Sequence, residues 1–68
     1  MFKNGTILRK YGGNRFIIII DSSFHEDIFY GEVYTLYHIV VQGYNDLTYE
    51  KEYILECDYN IVWEPEGR

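Results

Sequence analysis

Alanine is absent from this chain, and cysteine, proline and tryptophan occur once each. Without alanine the best helix former is missing. The lone cysteine, Cys57, excludes a disulfide within the chain. It also argues against a disulfide-framed secreted domain and for a reducing, cytoplasmic setting. Length adds a second restriction, because a chain of 68 residues has room for one domain and buries only about 60% of the surface its unfolded form exposes. Long apolar runs are missing too. The longest, Phe16 to Ile20, is five residues, far too short to cross a bilayer, and residues 1–5 carry no leader-like pattern. The expectation is a soluble single domain over residues 1–68, with a frayed tail at 66–68.

Basic residues are few and unevenly placed. Net charge is −5. Residues 1–20 carry Lys3, Arg9, Lys10 and Arg15 with no acid, whereas the remainder holds all eleven acids against Lys51 and Arg68. An acidic balance disfavours ordinary phosphate-backbone binding and suits a basic partner surface or plain solvation.

What the chain has in quantity is β-formers. Eight Tyr, four Phe, one Trp and nine Ile fit pleated, half-buried surfaces. The same bias is what an A/T-rich coding sequence gives, which points to a low-G+C bacterium or its phage as source. Thr6–Lys10 reads as a short strand, closed by Tyr11-Gly12-Gly13-Asn14, whose residues supply the positive φ of a tight hairpin. Phe16–Ile20 lacks alternation and reads as a strand buried on both faces, with Arg15 and Asp21 as flanking gatekeepers. Residues 22–29 read as a surface loop, in which Ser22 or Ser23 caps a helical turn with Glu26 three or four residues on. Gly31–Gln42 is a long strand with Val33, Thr35, Tyr37, Ile39 and Val41 on one face. Its length suggests a strand that bends to serve two sheets. Gly43-Tyr44-Asn45-Asp46 supplies a turn. Residues 47–56 fit a strand with an acidic outer face, the preferred reading, or a helix with Tyr49 and Tyr53 one turn apart. Cys57–Asn60 reads as a turn of 3₁₀ helix, and Ile61–Trp63 as a last strand stopped by Pro65.

Five strands with one 3₁₀ turn before the last resemble the layout of SH3-like small barrels. The short first connection is closer to the Tudor- and KOW-type members. The implied fold is all-β, a small partly open barrel; an architecture so widely shared implies no particular activity.

No constellation for catalysis or cofactor binding is present. Cys57, His25 and His38 lack the close-spaced pairing of a zinc site, and Cys57 reads as a packed small residue near a strand end. His25-Glu26-Asp27 reads as an exposed polar cluster rather than a base or cation site. His38 reads as a half-buried strand residue, hydrogen-bonded to its neighbours. Gly12-Gly13 precedes a strand, not a helix, so no phosphate cradle follows. No metal and no cofactor is expected, and the chain does not read as an enzyme.

The surplus of aromatics carries more information. Tyr11, Phe24, Tyr30, Tyr44 and Tyr49 fall in or beside expected turns, and tyrosine is enriched at interfaces. With Glu26, Asp27, Asp46, Glu50 and Glu52 they define an acidic-aromatic surface suited to a basic protein partner. The leading expectation is a non-catalytic protein-binding module, one form of which is a phage-encoded acidic inhibitor of a host enzyme or defence factor. Two alternatives stand beside it. One is nucleic-acid binding by aromatic stacking near Arg9, Lys10 and Arg15. The other is a homo-oligomer that binds nucleotides or small molecules between subunits.

Overall fold

The β-branched and aromatic stretches do form strands. A computed structural model describes residues 1–44 and 47–66. Strands β1 (Ile7–Lys10), β2 (Phe16–Asp27), β3 (Glu32–Val41) and β4 (Leu47–Lys51) are followed by helix α1 (Glu52–Asp58) and strand β5 (Tyr59–Trp63). They make one five-stranded antiparallel sheet in the order β4-β3-β2-β1-β5. One face of the sheet closes on α1. Leu8, Ile17, Ile19, Tyr37 and Ile39 from three strands meet Leu55, the one buried residue of the helix, and Phe2, Val41 and Tyr59 pack around them.

Tyr37 is fully buried at the centre. Its hydroxyl donates to Glu52 Oε2 at 2.5 Å and accepts from the Phe2 N–H at 2.9 Å. The Phe2 ring meets its own edge-on, with centroids 5.5 Å apart. Burial first, and then the hydrogen bond to Glu52, push the phenol up to about 12. Thr6, also fully buried, has a hydroxyl with no hydrogen-bond partner among the described residues.

The strand Phe16–Ile20 corrects the expectation of burial on both sides. Ile17 and Ile19 are core, whereas Phe16, Ile18 and Ile20 are exposed. The sheet has a single covered face, so half of this apolar run faces outward. A β-bulge follows at once: Ile19 pairs with Ile39 and Asp21 with His38, leaving Ile20 as the extra residue. The bulge switches the parity of β2, so that Ser22, Phe24 and Glu26 continue the face begun by Ile17 and Ile19.

Residues 22–29 are not a loop. β2 continues to Asp27, pairing residue by residue with β3, and no cap forms at Ser22 or Ser23. Instead the Ser22 N–H donates to Asp21, and Ser23 Oγ lies 2.8 Å from His25 Nε2. The turn falls at residues 28–31, where Gly31 takes φ +63°, a left-handed conformation that favours glycine. β3 is long because β2 matches it, and both belong to one sheet rather than two.

Both readings of residues 47–56 hold in part: the strand ends at Lys51 and a helix starts at Glu52. In place of a 3₁₀ turn at residues 57–60, α1 runs through Cys57 and β5 begins at Tyr59. Cys57 is therefore an exposed helical residue, not a packed one. His38 is half-buried, as the sequence suggests, with its ring centroid 4.1 Å from that of Tyr49. No helix among the described residues is long and apolar enough to cross a membrane.

Candidate functional site

Beyond Ser23 and Leu36 the sheet has only two strands. β1 leaves β2 at Ile18, and β4 leaves β3 at Leu36, so residues 24–35 form a free two-stranded arm. An isolated hairpin is marginal on its own in water. The arm lengthens the molecule: its radius of gyration is 12.5 Å, against roughly 11 Å for a compact chain of this size.

The end of the arm is apolar and open to solvent. Ile28, Phe29 and Tyr30 are 88%, 96% and 84% exposed, and Phe24 and Val33 lie along the same arm with most of their surface free. Asp27 shapes the turn by accepting from the Phe29 and Tyr30 N–H groups at 3.0 and 3.3 Å. Glu26 and Glu32 stand on either side of it in the ladder. From Phe16 through Glu50 the chain contains no Lys or Arg, so the tip combines apolar bulk with negative charge from Glu26 and Asp27, while Glu32 is paired with Lys51. On the arm's outer face the His25 and Tyr34 rings stack with centroids 5.5 Å apart. Lys51 Nζ caps that stack, 4.6 Å from the Tyr34 ring and 3.6 Å from Glu32 Oε1.

A second feature is a groove of about 990 Å³ at the opposite end of the sheet. Ile17, Ile39 and Val41 form its floor, and Lys10, Arg15, Tyr44, Glu50 and Tyr59 are among its walls. Arg15 donates to the Tyr44 hydroxyl at 2.9 Å and lies 4.9 Å from its ring centroid. Burial, followed by the Glu50 and Asp58 charges, raises the Tyr59 phenol, while Arg15 opposes them.

The residues expected to form one acidic-aromatic surface divide into separate groups. Phe24, Glu26, Asp27 and Tyr30 come together on the arm. Tyr44, Tyr49 and Glu50 border the groove. Tyr11 sits exposed in the first turn, with its N–H donating to the Asp58 carbonyl. Glu52 lies apart from both groups, accepting from the Tyr37 hydroxyl and standing 3.7 Å from the Met1 amino nitrogen. Asp46 lies outside the described residues. Sequence reasoning missed Ile28, Phe29 and Val33, although the Ile-Phe-Tyr triplet directly before Gly31 marked an apolar turn.

Among the described residues no three His, Cys, Asp or Glu side chains are grouped to hold a metal ion. Comparison with known protein families, curated proteins and solved structures finds no match to this chain, so the functional reading rests on the residues themselves.

Proposed function

We propose that the chain is a non-catalytic protein-binding module that inserts its β2–β3 arm into an apolar cleft with a basic rim on a partner protein. The exposure of Ile28, Phe29 and Tyr30 at the tip carries this reading. A monomeric domain gains nothing in stability from three large side chains held in water, whereas rigid aromatic anchors at a protruding point are what interface hot spots are made of. Glu26 and Asp27 supply the charge that steers the arm to a basic rim, Glu32 being balanced by Lys51. The strand order, with a helix between β4 and β5, supports reading the sheet as a partly open SH3-like barrel from which the arm projects. The A/T-style composition fits a phage-encoded inhibitor that blocks a host protein's cleft.

Photo-crosslinking from position 29, with position 53 on α1 as control, tests this reading. A stoichiometric adduct specific to position 29 is expected. Phe29→Ala should then weaken binding of the purified partner by at least about thirty-fold; unchanged affinity would refute the proposal.

The nucleic-acid and small-molecule alternatives keep one supporting observation, the groove with Lys10, Arg15, Tyr44 and Tyr59 in its walls. Arg15 is already engaged by Tyr44, and Glu50 faces the same space, which weakens the groove as a track for phosphates. A salt-dependent mobility shift with single-stranded oligonucleotides would favour it.

A further inference from the structure

We infer that the chain pairs with a second copy of itself through the sheet face turned away from the core. The ladder brings five apolar residues, one from each strand, into an unbroken row. Trp63 stands opposite Ile7, Ile7 opposite Ile18, Ile18 opposite Val40, and Val40 opposite Leu47. Paired residues project to the same side of a sheet. Because Ile17 and Ile19 point into the core, Ile18 and its row point out. Phe16 and Ile20 flank the row along β2, and Val62, the bulged residue of β5, lies beside Ile7.

Area permits a specific contact if the patch is fully buried. The exposed parts of these side chains add up to roughly 600 Å², at the top of what a monomer's largest apolar patch usually reaches. Two copies face to face would bury roughly 1,200 Å², within the range of specific interfaces. The row contains no charged side chain, so self-contact brings no like charges together along it, whereas most other approaches between two chains of net charge −5 are repulsive.

Charge also fixes the orientation. On β1, Arg9 occupies the next outward position on one flank of the row, opposite Phe16. On β2, Asp21 occupies the other flank, opposite His38. Neither makes an ion pair among the described residues. A two-fold axis lying in the interface along the row turns Arg9 of each copy toward Asp21 of the other, forming the pair twice. An axis running across the row would set Arg9 against Arg9. The surface is thus self-complementary in the first orientation, and it is separate from the arm.

Sedimentation equilibrium and native mass spectrometry of the full chain test this. The expected mass is twice 8.2 kDa. Ile18→Lys, at a position 40% exposed and thus compatible with folding, should weaken self-association at least about thirty-fold, with circular dichroism unchanged. Arg9→Asp should weaken the dimer, and combining it with Asp21→Arg should restore it. Phe29→Asp should leave the mass unaltered, so this inference and the arm's role fail independently. A chain monomeric up to about 1 mM, open-ended assembly, failure of the charge swap to rescue, or a monomer that binds lipid vesicles through Ile18 would overturn the proposal.

Discussion

Replacing Tyr37 by phenylalanine isolates the hydrogen bonds at the centre of the core. The ring and its edge-on contact with Phe2 remain, and only the hydroxyl is lost. That hydroxyl donates to the Glu52 carboxylate and accepts from the Phe2 N–H. A hydrogen bond to a charged group contributes about 1.5–3 kcal/mol, and the orphaned N–H adds its own penalty. The expected loss is about 2–3 kcal/mol. For 68 residues the total is roughly 3–10 kcal/mol, so Tm should fall by about 10 °C or more. Alkaline pH should produce the same loss without a mutation. The folded phenol is raised to about 12 from the ordinary 10.0, so the folded state holds its proton more tightly than the unfolded one. That stabilisation is complete below pH 10 and is lost as pH rises from 10 to 12, again about 2–3 kcal/mol. Urea unfolding at neutral pH and at intervals above pH 9 measures both effects. Tyr37→Phe should start lower and lose less as pH climbs; the raised Tyr59 phenol leaves some residual slope. A neutral-pH change below about 0.5 kcal/mol, or an alkaline slope as steep as in the parent, would refute the reasoning.

Three further outcomes follow from burial. Thr6→Val exchanges an unpartnered buried hydroxyl for a methyl group of similar shape, and should raise stability by about 1 kcal/mol in urea titration. Ile17→Ala and Ile18→Ala differ by one position and by face, so the first should cost about 2–4 kcal/mol and the second less than half of that in dilute solution. Cys57, exposed on α1, should react with a disulfide reagent in the native state as fast as after denaturation.

The sequence made the composition of the sheet legible but not its extent. Phe16–Ile20 was recognisable as a strand from its β-branched run. Consecutive apolar residues carry no mark of which face is covered, and only the assembled sheet shows that Ile18 looks outward. The polar stretch Ser22–Asp27 has no apolar pattern to declare it a strand. It is held in the sheet by β3, whose Glu32–Val41 length requires a partner. In the same way α1 has one buried residue, Leu55, too few for a helical period to show in seven residues. Of the candidate surface, the exposure of Tyr30 was legible because turn chemistry and exposure go together, whereas that of Phe29 beside it was not. The contacts of Glu52 with the Tyr37 hydroxyl and the Met1 amino group were not legible, because these partners are distant in sequence and meet it only through the fold.

The extra residue at Ile20 separates where the arm points from what the arm carries. Removing it would leave Ile19 opposite Ile39 and Asp21 opposite His38, with every later partner kept and the ladder made regular. The arm would present the same Phe24, Ile28, Phe29 and Tyr30 along a straighter path. A single-codon deletion therefore alters aim while conserving chemistry, a separation that point substitutions at the tip cannot achieve.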